Sequence, residues 1–378
     1  MLSSPPHHAF LCSVPSPAAT HRRRAAVDRL GLAGRNRGGG GGGGNVEFDA
    51  DEEHLSPPRL AGAGATAGVI SSPSNPFVKH CVKLRQSSSY RRSCGMAVVV
   101  GLTPIREIAW REDDRRGGSE EGPLINSLLL LDVPEASSSA SPILLGELGI
   151  NGGSGDSSSA GARVVRVSSM VMKKLTGLQS TDSTEAVAVM KIPSSFHDVG
   201  GRPRRQRVAD PGNIGTLLRS AMAFKWDGVF LLPGCCDPFN EKALRAARGA
   251  SFQLPIISGD WVHLEALKTE FRMKMLAAHP EDINANYRGK GSHTLSQKLA
   301  DSLAEDPLCL VLGSEGQGLS QEAMHGSDLV NIPMAGNFES LNVSVAGDFY
   351  VHSPNSILRK SLIFCPIKDN FLLNLLSF

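Results

Sequence analysis

Short apolar runs alternate with amphipathic stretches through two regions of the 378-residue chain. In the first region this pattern predicts a helix from about Pro76 to Gln86, a strand at 96–100 and a second helix from about Pro104. Further along, LINSLLLLDV predicts a strand or a buried helix, ARVVRVSSMVMKKLTG predicts a strand and then a helix, and EAVAVMKIP predicts a strand. We therefore predict a small α/β domain over residues 68–193.

The second region carries the same alternation over residues 208–346. DPGNIGTLLRSAMAF predicts a turn that leads into a helix, with Asn213 as its N-cap. The helical repeat predicts a buried face for this helix, formed by Leu217, Leu218, Ala221 and Phe224. Apolar strands such as GVFLL, RMKMLAAH, LCLVLG and LVNIPM then alternate with helices such as NEKALRAARGA and LSQKLADSL. This alternation is typical of a parallel sheet flanked by helices, which binds ligands at the carboxyl ends of its strands.

Residues 1–67 are predicted to be a disordered transit peptide and linker. Met1–Gly44 is rich in Ser, Pro, Ala and Arg, contains one acidic residue, Asp28, and lacks the apolar core of a secretory signal. The alternative is a disordered basic tail. The abundance of Ser and Pro favours the chloroplast as destination, with the mitochondrion as the alternative. A Ser/Gly-rich insert at 136–161 predicts a disordered surface loop within the first domain.

Composition and charge narrow the classes of function. A net charge of +2 and a pI near 8.2 permit a nucleic-acid partner without requiring one. The seven cysteines form no CxxC pair, which argues against a disulfide framework or a structural zinc site, and adjacent Cys235 and Cys236 are interpreted as structural thiols in a loop. Since no apolar run reaches the roughly 18 residues of a membrane-spanning helix, no membrane role is predicted.

Three polar loops follow or precede strands of the second region: DPGNIGTLLR, GSEGQGLS and NFESLNVS. The glycines of GSEGQGLS would let backbone amides approach a ligand, but this loop matches neither GxGxxG nor a P-loop and is weak support for binding when taken alone. In FESLNVSVAG, the polar residues Ser340, Asn342 and Ser344 interrupt an apolar run. They are interpreted either as helix caps or as the floor of a ligand pocket, and the stretch alone favours capping.

Taken in order, the three loops resemble the signature motifs of the SpoU-type (TrmH-type) RNA 2'-O-ribose methyltransferases of the SPOUT superfamily. The first motif is Asn213-Ile214-Gly215 with Arg219, the second is LGSEGQG at 312–318, and the third is IPM at 332–334 with SLNVS at 340–344. The preceding region resembles the small RNA-binding domain of that family, with SNPFVKHCVKLR and VSSMVMKKLTG as landmarks.

The resemblance implies an α/β protein in which a small α/β RNA-binding domain precedes a SPOUT-type trefoil-knot methyltransferase domain. It implies S-adenosylmethionine as cofactor, RNA as substrate, a homodimer, and no metal. The implied catalytic residues are Arg219, Asn213, Glu315 and Ser340. The implied cofactor-binding residues are Leu312, Gly313, Ser314, Gly318, Ile332, Met334, Leu341 and Asn342. The basic residues that would contact RNA are Lys79, Lys83, Arg85, Arg91 and Arg92, although charged helices are usually just solvated faces.

By the same resemblance, Arg219 would face the target ribose. Because a guanidinium stays protonated in proteins, we expect Arg219 to hold the target phosphate and lower the effective pKa of the 2'-hydroxyl, with the proton passing to phosphate or water. Asn213 would either orient Arg219 or cap its helix. Glu315 would position the ribose or Arg219, or else be a loop carboxylate in water. The methyl transfer would be catalysed by proximity.

Two stretches depart from the family pattern. Residues 194–207 carry four arginines where an apolar strand is expected, and a strand buried on both faces cannot be built from them. Residues 347–378 contain Pro354 and Pro366 where the family helix should continue, so an atypical C-terminal tail is predicted. Both departures predict weak cofactor binding and slow turnover. The missing apolar strand also favours the alternative function, a non-catalytic RNA-binding homologue that kept the fold but lost turnover, whereas the presence of Arg219 favours the enzyme.

Overall fold

A computed structural model describes residues 68–115, 124–133, 145–146, 162–178, 186–199, 210–279, 292–303, 306–314, 318–334, 340–351 and 362–365. The predicted transit peptide, most of the Ser/Gly-rich insert, the arginine-rich stretch at 200–209 and Glu315 lie outside the described residues. In the described part, no helix is long and apolar enough to cross a membrane.

The first region forms a four-stranded mixed sheet, as its apolar runs predict. Its strands are β1 (Met96–Val100), β2 (Ile125–Leu131), β3 (Arg163–Val167) and β4 (Ala186–Lys191). They lie in the order β1-β4-β2-β3, with β4 antiparallel to both neighbours and β2 parallel to β3. The helices of this region are α1 (Pro76–Gln86), α2 (Ser88–Cys94), α3 (Leu102–Arg115) and α4 (Ser169–Thr176). The structure confirms the predicted helix at 76–86 and the predicted strand at 96–100.

The two faces of this small sheet pack against different partners. On one face, α1 and α4 bury Val78, Leu84 and Val171 against the strands. The other face packs against α3, and also against Phe239 and Phe252, which come from the second region of the chain. The two predicted domains therefore share one hydrophobic core.

The second region forms an eight-stranded sheet in which every observed pairing is parallel. Its strands are β5 (Phe196–Asp198), β6 (Gly228–Leu231), β7 (Ile256–Ser258), β8 (Lys274–Ala278), β9 (Ser292–Thr294), β10 (Leu308–Val311), β11 (Asp328–Asn331) and β12 (Leu362–Cys365). Their order is β5-β7-β6-β12-β10-β8-β11-β9. The helices are α5 (Pro211–Ala223), α6 (Glu241–Ala247), α7 (Trp261–Phe271), α8 (Gln297–Ser302), α9 (Gln321–Gly326) and α10 (Val343–Val351).

Strand β12 lies in the middle of this sheet, between β6 and β10. Ile363 pairs with Val229 on one side and with Leu310 on the other. The sequence predicted an atypical tail from residue 347 onward, but that segment holds the end of α10 and this central strand. Likewise, the predicted linker at 194–207 contains the short edge strand β5. Both stretches differ from the expectation because parallel pairing needs only backbone groups in register, which an irregular apolar pattern does not reveal.

The start and end of α5 correct two further predictions. Asp210 is the N-cap, since its carboxylate accepts a hydrogen bond from Gly212 N at 3.0 Å and Pro211 occupies the first helical turn. Asn213 therefore lies inside the helix and is not its cap. Phe224, predicted on the buried face, is 37% exposed because it follows the last helical residue and no longer follows the helical repeat.

Candidate active site

The second motif forms a closed turn after β10. Ser314 N donates to Gly318 O at 2.9 Å, and Gly318 N donates to Ser314 O at 3.0 Å. Gly318 has a φ of +69°, a left-handed conformation that favours glycine. A Cβ on Gly313 would lie 2.9 Å from the carbonyl carbon of Gly318, which is closer than real Cβ atoms approach. The turn therefore requires glycine at 313 and favours it at 318.

The third motif begins α10, and Asn342 caps that helix. Its Oδ1 accepts hydrogen bonds from Ser344 N at 2.9 Å and from Ser344 Oγ at 2.6 Å. Its Nδ2 donates to Asn213 Oδ1 at 3.3 Å, which joins the third motif to the first. Asn342 is therefore a cap and also a contact between motifs. The capping interpretation is confirmed, while the pocket floor stays a prediction. Ser340 and Leu341 precede the helix and are exposed.

Helix α10 packs closely on α5 and on the end of β10. A Cβ on Gly347 would lie 2.3 Å from Leu217 Cδ2 and 3.1 Å from Leu312 Cδ1. Near the other end of α10, Tyr350 is 3% exposed and its hydroxyl donates to Val330 O at 2.8 Å. Burial raises the pKa of Tyr350, so the side chain stays protonated. The helix thus continues past residue 346, where the sequence predicted that its packing would end.

Arg219 is exposed on α5. It lies six positions after Asn213, and at about 100° per residue the two side chains leave the helix roughly 120° apart. The Asn213 amide oxygen accepts from Asn342. Asn213 therefore contacts the third motif, and the orientation of Arg219 by Asn213 stays a prediction. The structure does not bring Arg219 into a described contact with the second or third motif.

Of the other cofactor candidates, Leu312 is buried at the end of β10, and Ile332 is half-buried against the core of the larger sheet. Met334 is half-buried as well.

Sequence reasoning missed Asn331, whose Oδ1 is buried and has no hydrogen-bond partner in the described part of the chain. Asn331 ends β11 directly before the third motif, so a ligand donor could bond it. The sequence feature that could have pointed to Asn331 is a polar residue at the end of an otherwise apolar strand, as in LVN at 329–331.

The five RNA-binding candidates divide into two groups. Lys79, Lys83 and Arg92 are exposed. Arg91 is 2% exposed, and its Nε and Nη2 donate to Asp237 Oδ2 at 2.8 and 2.5 Å. Arg85 Nη1 donates to Glu241 Oε2 at 2.8 Å. The predicted RNA contacts of Arg85 and Arg91 are therefore corrected, because both guanidinium groups are engaged within the protein.

No group of three or more His, Cys, Asp or Glu residues that could hold a metal ion occurs in the described part. Cys235 and Cys236 are half-buried, form no disulfide and lie in the loop after β6. That loop borders a cavity of about 50 Å³ between α2 and the carboxyl ends of β6 and β7.

A parallel sheet flanked by helices, with glycine-rich and asparagine-capped loops at the carboxyl ends of its strands, defines the class of α/β proteins that bind a ligand at that edge. Comparison with known proteins identifies the family. The SpoU rRNA Methylase family matches residues 206–352. The 23S rRNA (guanosine(2553)-2'-O)-methyltransferase RlmP of Bacillus subtilis is 30% identical over 194 residues, which cover 47% of this chain and 73% of that relative. The chain belongs to the SpoU rRNA methylase family, as its three motifs predicted.

Other relatives are matched over less of their length. An uncharacterized tRNA/rRNA methyltransferase of Synechocystis is 34% identical over 145 residues, which cover 37% of this chain and 47% of that protein. The rRNA methyltransferase 3A, mitochondrial, of Danio rerio is 30% identical over 172 residues, covering 37% of this chain and 40% of the relative. The chain thus spans about half the length of these two relatives or less.

Solved structures share the fold. The SpoU methyltransferase AviRb from Streptomyces viridochromogenes, in complex with AdoMet, aligns with a TM-score of 0.53 at 20% identity, over 75% of this chain and 98% of that one. An rRNA methyltransferase from Sinorhizobium meliloti aligns with a TM-score of 0.54 at 21% identity, over 75% of this chain and 95% of that one. These alignments confirm the predicted α/β fold of the SpoU methyltransferases.

Proposed function

We propose that the protein transfers a methyl group from S-adenosylmethionine to a ribose 2'-hydroxyl of an organellar ribosomal or transfer RNA. The observation that carries this proposal is the hydrogen bond from Asn342 Nδ2 to Asn213 Oδ1 at 3.3 Å, since it joins two of the three motifs at one edge of the sheet. Family membership supports it. So do the names of two relatives, one a 2'-O-methyltransferase and the other an AviRb structure in complex with AdoMet.

The residues of the second and third motifs fit a cofactor of this kind. Among the described residues, nothing lies within 4 Å of where a Cβ on Gly318 would be, which leaves room on that side for a ligand to approach the backbone. The buried Oδ1 of Asn331 offers an acceptor to an amino group. The residues proposed to hold the cofactor are Leu312, Gly313, Ser314, Gly318, Ile332, Met334, Leu341 and Asn342, together with Asn331. Bound S-adenosylmethionine would supply an electrophilic methyl group.

The protein's own residues would bind and orient the ribose. Arg219 is proposed to hold the phosphate next to the target nucleotide, and its positive charge would favour the alkoxide form of the 2'-hydroxyl. Since a guanidinium remains protonated, the released proton passes to phosphate or water. Asn213 would keep the third motif in place through Asn342. Glu315 and Ser340 are proposed to contact the ribose. RNA is the substrate because only RNA carries the 2'-hydroxyl.

Three further features belong to the proposal. The chain from the second motif through α10 is proposed to form the trefoil knot of the SPOUT superfamily. The protein is proposed to be a homodimer, supported by two exposed apolar side chains: Leu341, just before α10 and 37% exposed, and Val345, in its first turn and 44% exposed. Sedimentation of a monomer at micromolar concentration would contradict the dimer.

The location is proposed to be an organelle. The N-terminal composition favours the chloroplast, and the names of relatives such as the Danio rerio protein favour the mitochondrion.

A non-catalytic RNA-binding role is the second candidate. It is favoured by the position of β12, because the centre of the sheet is filled from residues 362–365 and not by a described strand directly before α5. An altered sheet beneath α5 would displace Arg219 relative to the cofactor loops, and displacements of about 1 Å can cost 10²-fold in rate.

Mapping of ribose methylation separates the two candidates. Organellar ribosomal and transfer RNA from cells with and without the protein would be compared nucleotide by nucleotide. Loss of methylation at one or a few riboses, restored by the wild-type protein and not by Arg219→Ala, is the expected result. Unchanged methylation at every position would favour the non-catalytic role. Calorimetry with S-adenosylmethionine on the purified protein provides an independent measurement of cofactor binding.

A further inference from the structure

Three helices of the first region contain no acidic residue. Helices α1, α2 and α4 have the sequences PFVKHCVKLRQ, SSYRRSC and SMVMKKLT. Together they hold the basic residues Lys79, Lys83, Arg85, Arg91, Arg92, Lys173 and Lys174. Surface helices that are merely solvated usually mix the two signs of charge. The charged residues of these three helices are therefore all positive, which is typical of a surface that binds an anionic partner.

The three helices contact one another and form a continuous surface. Helices α1 and α4 share a buried core through Leu84 and Leu175. At the end of α1, Arg85 Nη1 reaches Thr176 O at 3.5 Å. Helix α2 joins the surface where Lys83 Nζ lies 4.3 Å from the ring centroid of Tyr90. The cations of α4, which are more than eighty positions away in sequence, thus belong to the same surface as those of α1.

Five of the seven cations face solvent, and we name them the basic face: Lys79, Lys83, Arg92, Lys173 and Lys174. The other two point inward to the second region of the chain. The Arg91 guanidinium makes two bonds to Asp237 Oδ2, and its Nη1 also donates to Leu84 O at 2.7 Å and Arg85 O at 2.8 Å. The Arg91 guanidinium thus bonds to Asp237 in the second region and to the backbone of α1 in the first region, and these bonds fix its orientation.

The contact made by Arg91 extends to the candidate active site. Asp237 Oδ1 accepts from Phe239 N at 2.9 Å, which fixes the loop that leads into α6. Helix α6 packs tightly on α5, since a Cβ on Gly215 would lie 2.3 Å from Ala243 O. Helix α5 carries Asn213 and Arg219. The basic face is therefore connected to α5 through a buried ion pair and a close helix contact, without a flexible linker among these described residues.

We propose that the Arg91–Asp237 pair holds the basic face at a fixed position relative to the site of methyl transfer, so that RNA phosphates bound by Lys173 and Lys174, beside the already expected Lys79, Lys83 and Arg92, set the place of the target ribose. This inference rests on the proposed function for the identity of the RNA. It adds Lys173 and Lys174 to the RNA contacts, and it makes Arg91 a positioning residue. The substrate would be a folded RNA that presents phosphates and the target nucleotide at one fixed separation.

Phosphate is favoured over an acidic protein as the occupant because the five cations lie on helices that contain no acidic residue, which matches an evenly charged strand. Each phosphate neutralised by Lys or Arg releases a counterion, so the logarithm of the binding constant falls with the logarithm of salt concentration. A surface of this kind predicts a steep salt dependence, and each lost cation reduces the slope by about 1.

The first experiment measures the binding of a labelled RNA hairpin to the full chain over a series of salt concentrations. The double variant Lys173→Gln/Lys174→Gln should lower the salt slope by about 1 to 2 units, while Lys298→Gln, an exposed lysine on α8, should leave it unchanged. Equal slopes for wild type and double variant would overturn the assignment of these lysines. Binding of an acidic polypeptide more tightly than the hairpin would overturn the choice of RNA. Because this assay needs no methyl transfer, it tests the surface even if the protein proves not to be a methyltransferase.

The second experiment tests the positioning role of Arg91. The variant Arg91→Met/Asp237→Leu replaces the ion pair with apolar groups of similar size, which tends to preserve stability. We expect unchanged affinity for the hairpin and for S-adenosylmethionine, a fall in kcat of about tenfold to hundredfold on folded RNA, and methylation at additional riboses. The lysine variants should instead raise KM. Wild-type kcat and unchanged site selection in a folded double variant would overturn the positioning role. Arg91→Lys, which keeps a positive charge beside Asp237 but loses the planar fork, provides a milder second variant.

Discussion

Gly347 of α10 lies against Leu217 of α5 so closely that a Cβ on the glycine would stand 2.3 Å from Leu217 Cδ2. Leu217 is 3% exposed and surrounded by the core of the larger sheet, so it has little room to move. The contact brings the helix of the third motif onto the helix of the first motif. The active-site loops are therefore held together by a helix contact that depends on the absence of a side chain.

Substitution Gly347→Ala should destabilise the protein by about 1–3 kcal/mol, because the added methyl group overpacks a buried contact. Denaturant unfolding monitored by circular dichroism measures the loss. Val262→Ala, at a position 75% exposed on α7, is the control and should change stability by less than about 0.5 kcal/mol. Adding Leu217→Val to Gly347→Ala should recover part of the loss. Additive effects of the two substitutions would argue against a direct clash.

Asn342 allows its two roles to be separated. Asn342→Asp keeps the oxygen that caps α10 but loses the Nδ2 donor to Asn213, so its stability should stay near that of wild type while affinity for S-adenosylmethionine falls. Asn342→Ala loses both functions and should also cost about 1 kcal/mol of stability. Unfolding and calorimetry would be measured on both variants. Wild-type cofactor affinity in Asn342→Asp would show that the contact between the motifs is not needed for binding.

Arg219→Ala should leave S-adenosylmethionine affinity nearly unchanged and reduce methyl transfer by about 10²–10⁴. The side chain is exposed on α5 and has no described contact with the second or third motif, so its loss should not disturb the cofactor loops. Transfer of a labelled methyl group to organellar RNA measures the rate. Arg219→Lys keeps the charge but not the planar fork, and its intermediate activity would indicate a phosphate contact. Near-normal turnover of Arg219→Ala would remove it from the catalytic residues.

Local pattern predicted most of the regular elements but not how they meet. The helix at 76–86 and the strand at 96–100 follow from clear apolar repeats, and both are confirmed. The short strands β5 and β7, of three residues each, are too brief to carry a periodic signal. The inward orientation of Arg91 could not be predicted either, because its acceptor Asp237 lies 146 positions away. Its exposed neighbour Arg92 has the same local sequence context, so only the tertiary structure separates their roles.

The central strand β12 predicts a strong effect of proline. Ile363 pairs with Val229 and Leu310 in parallel registers, and proline at this position would remove a backbone donor from the middle of the sheet. We expect Ile363→Pro to lower the free energy of unfolding by about 1–3 kcal/mol or more. Ile363→Val, which retains the donor and the β propensity, is the control. Equal stability of wild type and Ile363→Pro would show that β12 does not pair in solution.

His80 predicts a pH dependence of stability. It is 8% exposed, its Nδ1 lies 2.8 Å from Tyr90 Oη, and burial, followed by the charge of Lys83, lowers its pKa from the ordinary value of 6.5. The unfolded chain therefore binds a proton more readily than the folded one, so stability is complete above the unfolded pKa and falls as pH drops below about 6.5. Denaturant unfolding at pH 7 and near pH 5 measures this loss. His80→Gln cannot gain charge and should show a smaller loss, and an equal loss in both proteins would assign it to other groups.

The rings of Phe239 and Phe252, packed edge to face with centroids 5.5 Å apart, lie in the core formed by one face of the small sheet. A fragment cut between residues 193 and 194 would leave that sheet face uncovered in one piece and these two rings uncovered in the other. The first region is thus not a portable module, in contrast to domains joined by a linker. Swapping it between related proteins would require the receiving protein to supply matching aromatic residues after its equivalent of β6. The first and second regions therefore evolve together because their side chains pack in one core. We expect substitutions on one side of this core to be accompanied by substitutions on the other.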